Sequence, residues 1–331
     1  MPSLSKLYER IILFLLNEFS LKNNIIPNNQ YGFREGISTQ FPLLRFADYI
    51  SNAINCKQLP IAVSLDLANA FDTIWHHGLC YKLRYLFNFP WPLVRLVGDF
   101  LHNRSAKVVI GSDSSYSFTS SRGTPQGSVI SPLIYALYIA DFPSAENNSS
   151  TLVNLHYADD TIILASNNSI NNIIHDINSY LNCIYDYFAY WRLELNESKS
   201  AFIAFRGMGK MLPRKLTSKI KHITLSCDIR RVEELTYLGV SFNHKLNYIT
   251  HINKIIRKCH DAYCRTVRVV KNKHLKHSVK LLIYKTIISP TIVYAFPIWC
   301  NISAQQMERL HILFINFLRI VIVYSIINNI D

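Results

Sequence analysis

The strongest constraint in this sequence is the run Tyr157-Ala158-Asp159-Asp160, in which two adjacent carboxylates lie between two short strand-type segments. Residues 152–156 and 161–164 are rich in apolar side chains, so the pattern predicts a β-hairpin with both acids at its tip. Two like charges side by side either raise each other's pKa or attract a cation, and such a tip can therefore bind a divalent metal ion. Aspartate is also common in turns, so a simple polar turn is the alternative unless a third acid accompanies the pair.

A third acid follows an earlier apolar run. Residues 61–65 are Ile-Ala-Val-Ser-Leu, which predicts a buried strand, and Asp66 comes directly after it. Phe71 begins a predicted helix that carries Trp75 and Leu79. An acid at the end of a buried strand is either a cap for the following segment or a ligand in an active site. The acidic pair of the hairpin tip favours the second interpretation, because a metal ion needs further oxygen ligands.

The order of the predicted elements indicates a fold class. The sequence alternates as strand, helix, strand, strand, helix, strand over residues 61–66, 126–142, 152–157, 161–165, 169–191 and 200–205. This is the order of a ferredoxin-like α+β layer. In such a layer Asp66 and the hairpin tip lie on neighbouring central strands, so we expect the three carboxylates to share one site.

Other segments have weaker local signatures. Residues 4–20 keep an apolar stripe with the spacing of an amphipathic helix, and residues 88–121 contain a predicted hairpin excursion. Residues 122–132 place two glycines ahead of an apolar helix, which lets the backbone approach a negatively charged ligand closely. Near the start of the chain, Gly32 permits a tight bend and Arg34 offers a planar donor fork suited to phosphate.

The basic residues are concentrated in one part of the chain. Between Arg206 and Lys285 there are 19 lysines and arginines against 4 acids, whereas the whole chain has 35 against 22. Such a block is typical of a polyanion partner, with a solvated basic face and a membrane surface as the alternatives. Within it, residues 251–271 predict a helix with one apolar face for a core and one basic face for phosphates.

The last part of the chain and the cysteines carry less information. Residues 310–327 are apolar enough to resemble a membrane span, but Arg319 lies in the middle. We therefore expect a terminal helix without its packing partner, with a membrane helix as the alternative. The seven cysteines are scattered and odd in number, which indicates a reducing compartment. Cys259 and Cys264 are interpreted as core positions of a helix and not as part of a zinc site.

Taken together, these segments resemble the reverse transcriptase of non-LTR (LINE-type) retrotransposons, most like the jockey group of insects. The blocks that carry the resemblance are residues 30–34, Asp66 with Phe71, residues 123–131, residues 157–160, Trp191 with Asn196 and Lys199, and residues 237–239. Their shared order is specific where each block alone is not. The resemblance implies a right-hand polymerase with partial fingers at 1–55, a ferredoxin-like palm at 56–245 and an incomplete basic helical thumb at 246–331. The excursion at 88–121 would belong to the fingers.

The resemblance also implies a chemistry, RNA-directed DNA synthesis by two-metal phosphoryl transfer to a primer 3′-hydroxyl. Asp66 and Asp159 would bind two Mg²⁺ ions, which Mn²⁺ could replace, and Asp160 would complete the acidic cluster. Lys199 would donate a proton to the departing pyrophosphate, although an exposed lysine after a turn is the alternative. Phe71 would exclude a 2′-hydroxyl, with a helix-packing aromatic as its alternative.

Binding roles follow from the same resemblance. The incoming dNTP would meet Phe71, Gln126, Gly127 and Arg34. The RNA template and DNA primer would be held by Tyr237, Leu238, Gly239, Lys254, Arg257 and Lys258. Nuclear residence is expected from the way such elements replicate, and no membrane partner is expected.

The sequence departs from the family at its start. Family members begin their polymerase with a basic fingers segment containing an Arg-Pro-Ile type motif, and this chain starts downstream of it. We therefore expect an N-terminally shortened reverse transcriptase whose missing fingers come from a further segment or a partner. The competing functions are an inactive nucleic-acid-binding remnant, an RNA-templated RNA polymerase, and a peripheral membrane protein that uses the helix at 310–327.

Overall fold

A central sheet organises the computed structural model, which describes residues 3–102, 104–206, 219–221, 228–272 and 274–326. Six strands of the described residues form it, in the spatial order β6 (Leu152–Tyr157), β7 (Asp160–Asn167), β1 (Leu59–Leu65), β8 (Ala201–Ala204), β10 (Asp228–Arg231) and β9 (Lys219–Lys221). β1 is central because it pairs antiparallel with β7 on one side and with β8 on the other. The predicted ferredoxin-like α+β layer is confirmed by β1, β6, β7 and β8 and by the helices between them.

Alternate residues of the central strands enter different cores. On β1, Val63 faces the first core and Ala62 faces the second. On β7, Ile163 and Ile162 make the same division. A sheet covered on both faces needs near-continuous apolar strands, because neither face is left to water. This explains why the run at 162–165 is apolar throughout and why the run at 61–65 is interrupted only by Ser64.

Helices of the first half of the chain cover the first core. They are α1 (Ser3–Lys22), α3 (His76–Tyr81) with a following π-helical turn (Lys82–Leu86), α4 (Trp91–Leu101), α5 (Ser131–Tyr138) and α6 (Ile170–Trp191). Two predicted starts were wrong. The helix expected from Phe71 begins at His76, because Asn69 has a φ of 48° and residues 69–72 form turns. The helix expected at 126–142 begins only at Ser131, because Gly127 has a φ of 80° that no α-helix accommodates.

Helix α1 buries a different face from the predicted stripe. Ile12 and Leu16 are buried as expected, but the polar residues Glu9 and Ser20 share their face. Apolar side chains of the predicted stripe that are exposed instead are Leu4, Leu7, Tyr8 and Ile11. The helix is apolar around most of its circumference, so spacing alone does not select the face that packs.

The second core lies on the other face of the sheet. It is built from α2 (Gln40–Asn55), the hairpin of β11 (Glu234–Tyr237) and β12 (Val240–Asn243), α7 (Ile249–Val270), α8 (His277–Ile283), α9 (Ser289–Val293), α10 (Phe296–Trp299) and α11 (Ala304–Ile326). The apolar run at 235–240 predicts a single short strand, but the structure forms a two-stranded hairpin there. Helix α2 was not predicted, although Leu43, Phe46 and Ile50 have helical spacing and are buried.

The expectation that the last helix lacks a packing partner was wrong. In α11, Leu310, Leu313 and Phe317 are buried in the second core, and Tyr263 of α7 packs against Phe317 with ring centroids 5.2 Å apart. Ile327, the predicted end of this helix, lies outside the described residues. Within the described residues, one stretch, His277–Trp299, is long and apolar enough by length and composition to cross a membrane.

The predicted hairpin excursion is present between α4 and α5. Its base pairs β2 (Arg104–Ala106) with β5 (Phe118–Ser120), and its outer part pairs β3 (Val109–Ile110) with β4 (Asp113–Ser114). The cysteines of the described residues are free thiols, and Cys227 lies outside those residues. Cys259 is buried as predicted, whereas Cys264 is exposed.

A buried lysine links three helical segments of the first core. Lys82 is fully buried and donates to the Tyr138 carbonyl oxygen at 2.6 Å, Asp141 Oδ1 at 2.5 Å and Tyr187 Oη at 2.8 Å. Its ammonium lies 3.9 Å from the Trp191 ring centroid. Burial lowers the pKa of Lys82 to about 8, and the Asp141 carboxylate acts in the opposite direction. This lysine joins α5 and α6 to the turn after α3.

Candidate active site

The register of the central strands brings the predicted acids together. Leu65, the last residue of β1, pairs with Thr161 of β7. The next position on each strand is Asp66 and Asp160, so these two residues lie side by side at one end of the sheet. Antiparallel pairing thus joins parts of the chain that lie far apart in sequence.

The acidic turn, residues 157–160, closes the hairpin of β6 and β7. Tyr157 pairs with Asp160 across the two strands, which leaves Ala158 and Asp159 as a two-residue turn. Ala158 has a φ of 56°, the left-handed conformation that such short turns use. Asp159 is consequently held next to Asp160 at the tip of the hairpin.

The three acids form one electrostatic cluster. The surrounding protein atoms, and then the charges of Asp159 and Asp66, raise the pKa of Asp160 from 3.8 to about 6. Lys199 Nζ lies 3.8 Å from Asp66 Oδ2. Both side chains of that pair contact water, so the pair is weak and the cluster keeps a net negative charge.

The loop that carries Lys199 is fixed to the backbone of Asp66. The Asn196 amide donates to the Asp66 carbonyl oxygen at 2.7 Å, and the Asp66 amide donates to Ser200 Oγ at 3.2 Å. These bonds hold residues 196–200 beside the end of β1. They explain why Lys199 lies near the acids even though its side chain is 69% exposed.

A segment that we name the strap, residues 29–32, holds the acidic turn from outside. Gln30 is buried, and its Oε1 accepts from the Gly32 amide at 2.8 Å and from the Ala158 amide at 3.2 Å. Its Nε2 donates to the Ala158 carbonyl oxygen at 3.4 Å. The Tyr31 amide also donates to the His156 carbonyl oxygen at 2.8 Å. The sequence does not indicate this role of Gln30, because Ala158, the residue that it holds, lies 128 residues away.

Close contact as well as hydrogen bonding joins the strap to the acidic turn. A Cβ atom placed on Gly32 would lie 2.2 Å from the Ala158 nitrogen, far inside van der Waals contact. Gly32 therefore allows the two backbones to touch, which is a more specific reason for glycine than the tight bend predicted from the sequence.

Phe71, the predicted sugar gate, lies in an aromatic stack. Its ring centroid is 4.8 Å from that of Tyr135 in α5 and 6.1 Å from that of Phe33, which meets it edge to face. Tyr135 is fully buried, whereas Phe33 is 45% exposed. Phe71 itself is partly exposed and can contact a ligand on its open side.

The loop before α5 is attached to the segment that carries Phe71. The Thr124 amide donates to the Phe71 carbonyl oxygen at 2.9 Å, and the Gly123 amide donates to the Ile74 carbonyl oxygen at 2.8 Å. A Cβ atom on Gly123 would lie 2.6 Å from the Asp72 carbonyl oxygen. The predicted nucleotide loop and the predicted gate are thus one connected unit.

Gln126 and Gly127 are exposed on this loop, as a ligand contact requires. The residues that follow them are fixed by Glu9 of α1. Its buried carboxylate accepts from Ser128 Oγ at 2.7 Å and from the Val129 amide at 2.6 Å. The Glu9 carboxylate thus fixes, from a distant segment, the two residues that precede the N-cap of α5, Ile130. The only signal of this contact in the sequence is an acid within an apolar helix.

Arg34 lies near the strap and hydrogen-bonds to the backbone there. Its Nη1 donates to the carbonyl oxygens of Pro27 and Gln30, each at 3.4 Å. These contacts brace the loop that leads into the strap. The predicted phosphate contact of Arg34 therefore competes with a structural one.

The turn between β11 and β12, residues 237–240, lies close to the acids. Leu238 and Gly239 form its two central positions, with φ values of 45° and 80°. Tyr237 is buried, and its pKa is raised above its usual value by burial first and then by the Asp160 charge, which couples this turn to the acidic cluster. The predicted primer-binding residues and the predicted metal ligands thus belong to one region.

Two buried tyrosine hydroxyls near the acids have no hydrogen-bond partner among the described residues. They belong to Tyr135 and Tyr237. Burial, followed by the charges of Asp159 and Asp160, raises the pKa of Tyr135 well above its usual value. Both phenols therefore stay protonated, and each has a hydrogen to donate.

The predicted basic face of α7 is exposed. Arg257 and Lys258 face solvent, while Ile252 and Ile255 on the opposite side are buried. Lys254 differs, because it donates to Glu234 Oε1 at 2.5 Å and to Ser241 Oγ at 2.7 Å. It attaches α7 to the hairpin of β11 and β12, while Arg257 and Lys258 remain exposed to a polyanion.

Known proteins are similar to this chain in sequence and in fold. A profile of the family described as reverse transcriptase (RNA-dependent DNA polymerase) matches residues 1–242. The RNA-directed DNA polymerase from mobile element jockey of Drosophila melanogaster is 29% identical over 95% of this chain and 34% of its own length. The probable RNA-directed DNA polymerase from transposon BS of the same species is 28% identical over the same shares. The chain therefore spans about a third of the length of these relatives.

The fold has a structural neighbour as well. Telomerase from Candida tropicalis, solved with a fragment of telomeric RNA, superposes with a TM-score of 0.51 at 11% identity, over 98% of this chain and 51% of that one. At such low identity the likeness concerns the fold alone, and it supports the right-hand polymerase architecture. With the family profile covering most of the residues and the acids converging on one end of the sheet, the chain belongs to the reverse transcriptase family and is of the non-LTR retrotransposon type.

Proposed function

We propose that this chain is an RNA-directed DNA polymerase that adds dNTPs to a primer 3′-hydroxyl on an RNA template. The observation that carries the proposal is the pairing of β1 with β7, which sets Asp66 beside Asp160 and the tip residue Asp159. Three acids held by strand pairing are suited to phosphoryl transfer, which depends on positioning and on the neutralisation of charge.

The acids fit a divalent metal ion by their chemistry. Carboxylate oxygens are the ligands that Mg²⁺ prefers, and the raised pKa of Asp160 indicates a negative cluster that a cation would stabilise. Asp66, Asp159 and Asp160 would hold the ion, although no three histidine, cysteine or acidic side chains of the described residues already stand as a metal-binding group. Bound Mg²⁺, or Mn²⁺ in its place, would activate the 3′-hydroxyl and neutralise the triphosphate.

The remaining site residues would orient the substrates. Phe71, held between Phe33 and Tyr135, would pack against the sugar and exclude a 2′-hydroxyl. Gln126 and Gly127 would lie beside the incoming nucleotide on the loop that is fixed to Phe71. Lys199 would approach the leaving pyrophosphate as a proton donor, since its exposed ammonium is free to move away from its weak pair with Asp66.

Nucleic acid would lie across the second core. The Leu238-Gly239 turn would contact the primer end, and Arg257 and Lys258 of α7 would contact the phosphates of the duplex. This arrangement places the polyanion on the exposed basic face and the 3′-end near the acids. It also predicts that binding weakens steeply as salt concentration rises.

Primer extension tests the proposal directly. We expect the chain to extend a DNA primer on an RNA template with Mg²⁺, and Asp159→Asn to lower the rate by at least about a thousandfold because a metal ligand is lost. Asp113→Asn, an exposed acid at the tip of the excursion hairpin, is the matched control and should retain the wild-type rate. Tight binding of the primer and template without any incorporation would instead identify an inactive nucleic-acid-binding remnant.

Sugar discrimination separates a DNA polymerase from an RNA polymerase. The wild-type chain should prefer dNTPs over rNTPs, and Phe71→Ala should reduce that preference by about tenfold or more, since a clash with the 2′-hydroxyl is removed. The ratio of kcat/KM for dCTP and CTP measures this effect. Equal use of both nucleotides by the wild type, with no change in Phe71→Ala, would show that the gate assignment is wrong.

A further inference from the structure

Three separate parts of the chain meet at the hydroxyl of Tyr294. Its Oη donates to the Leu238 carbonyl oxygen at 2.7 Å and lies 3.0 Å from Thr39 Oγ1. The edge of the same ring packs on Gly239, where an added Cβ would be 3.5 Å from Cε1. One side chain therefore contacts the turn of β11 and β12 and the residue that precedes α2.

The backbone around Tyr294 is fixed although its phenol is 39% exposed. Helix α9 ends at Val293, directly before Tyr294, and Ala295 has a φ of 54° and is fully buried. Trp299 is almost fully buried, and its Nε1 donates to the Tyr294 carbonyl oxygen at 2.8 Å. This sharp break between α9 and α10 directs the Tyr294 ring out of the second core and onto the turn.

The Leu238 carbonyl oxygen is a sensitive point of attachment. In a two-residue hairpin turn the central peptide groups lie outside the strand ladder, so their orientation depends on other contacts. Leu238 also has a left-handed backbone, which costs a non-glycine residue free energy unless its surroundings hold it. Tyr294 provides such a contact for this peptide group.

Thr39 connects the same point to the strap. It precedes α2 and comes seven residues after Gly32, the strap residue that touches the acidic turn. The junction of Tyr294, Leu238 and Thr39 thus lies between the segment that holds the acids and the helices of the second core.

We propose that Tyr294 is a positioning residue for the primer 3′-end. Its hydroxyl sets the orientation of the Leu238-Gly239 turn through the hydrogen bond to the Leu238 carbonyl oxygen, and the neighbouring Thr39 contact is secondary to that bond. The inference rests on the proposed polymerase function, because it assigns the turn to the primer. It adds a residue from the last third of the chain to the machinery that aligns the primer with the acids.

Tyr294→Phe is the test, because it removes one oxygen atom and keeps the ring that packs on Gly239. We expect KM for the primer and template to rise by about three- to tenfold, the range that loss of one neutral hydrogen bond implies. KM for dNTP and kcat at saturating primer should stay within about twofold. Thr39→Val leaves the bond to Leu238 in place and should change primer KM by less than about twofold. Tyr190→Phe, which removes an exposed phenol hydroxyl from α6, is the control for hydroxyl loss itself.

A second measurement is independent of catalysis. Hydrogen exchange of the Gly239 and Val240 amides should become faster in Tyr294→Phe than in the wild type, with no change at the acidic turn. If the wild-type chain extends no primer, the polymerase proposal fails, and exchange at these amides still decides whether Tyr294 positions the turn. Unchanged primer KM in an active chain, equal rises in the KM values for primer and dNTP, or unchanged exchange would overturn the inference.

Discussion

Both hairpin turns near the acids begin with a non-glycine residue in the left-handed conformation, but the two turns are held in different ways. The acidic turn has Ala158 at a φ of 56°, and the turn of β11 and β12 has Leu238 at a φ of 45°. Each therefore places a non-glycine residue in a strained conformation that needs support. The first is supported by the buried amide of Gln30, and the second by the partly exposed phenol of Tyr294.

This difference separates a rigid part of the site from an adjustable one. Gln30 makes three hydrogen bonds within a buried contact, two of them to Ala158, so water cannot replace them. Tyr294 makes its bond at the surface, where water can take its place. Under the proposed function, acids that share metal ions would need a fixed geometry, whereas a turn that contacts a moving primer would need to adjust.

Glycine replacement should show the largest contrast between the two turns. In Gly32→Ala, the new methyl group would lie 2.2 Å from the Ala158 nitrogen and displace the acidic turn, so we expect primer extension to fall by about a hundredfold or more. The unfolding free energy should fall by about 3 kcal/mol. Gly239→Ala meets only the Tyr294 ring at 3.5 Å and should cost about 1 kcal/mol through its left-handed backbone.

Primer extension and chemical denaturation of both variants check this order. A Gly32→Ala chain with wild-type activity would show that the strap does not fix the acidic turn.

Removal of the buried amide should have the next largest effect. Gln30→Met keeps the side-chain length but leaves the amides of Gly32 and Ala158 without an acceptor, so we expect the unfolding free energy to fall by about 2–4 kcal/mol. The value of kcat should fall, because the acids lose their support, while primer KM changes little. Tyr294→Phe should show the opposite division, with a stability change below about 1 kcal/mol and an effect on primer KM. Steady-state kinetics of both variants on one template measure this division.

A buried neutral histidine lies near each turn. His156 belongs to the hairpin of β6 and β7, and His251 of α7 packs against the hairpin of β11 and β12. In β6, His156 Nε2 accepts from Asn154 at 2.8 Å and Nδ1 lies 2.9 Å from Thr161 Oγ1. In α7, the His251 Nδ1 accepts from the Ser241 amide at 3.4 Å. Burial lowers the pKa of both to about 4, and for His251 the charges of nearby lysines add to this effect.

Acid should therefore destabilise both hairpins. Below pH 6.5 the unfolded chain binds a proton on each histidine, whereas the folded chain does so only near pH 4, so stability is lost as pH falls through this window. Between pH 7 and pH 5 we expect a loss of about 2 kcal/mol per histidine. Between pH 7 and pH 5, His156→Gln and His251→Gln should each lose about 2 kcal/mol less unfolding free energy than the wild type. Denaturation at the two pH values measures this difference. An identical loss in the wild type and both variants would contradict this account.

Relief of the strained residues should have the smallest effect. Ala158→Gly and Leu238→Gly each remove a left-handed side chain, which favours the native turn, but glycine also increases the entropy of the unfolded chain. We expect changes in unfolding free energy within about 0.5 kcal/mol for Ala158→Gly, because the two terms offset each other. Leu238→Gly should change the unfolding free energy by a similarly small amount. Its primer KM should rise, because two adjacent glycines make the turn between β11 and β12 more flexible. Thermal unfolding of the two variants, compared in parallel, provides the measurement.

The elements that carry the acids could be predicted from the sequence because their signals are local. An apolar run followed by Asp66, and two strand-type runs around residues 157–160, specify strands and a turn within a few residues each. The order of elements then restricts the topology, and pairing of the strands fixes which acids meet. Helix α6 was predictable for the same reason, since its apolar spacing is uninterrupted.

The contacts that support the site could not be predicted, because they join distant segments through single polar atoms. Gln30 and Ala158 are separated by 128 residues, and Glu9 and Ser128 by 119. Glutamine and glutamate are ordinary surface residues, so nothing in the sequence distinguishes Gln30 and Glu9 from residues of the same type that stay exposed. The buried face of α1 escaped prediction for a related reason: it is selected by the bond of Glu9 and not by apolar spacing.

The contact of Glu9 with Ser128 and Val129 sets a condition on any redesign of nucleotide preference. Because the first helix of the chain holds the loop before α5 at Ser128 and Val129, changes introduced at Gln126 or Gly127 act on a loop whose far side is anchored at residue 9. Variant libraries that change only Gln126 and Gly127 would leave the hydrogen bonds of Glu9 to this loop unchanged. Joint variation of positions 9 and 128 would instead change the anchor itself.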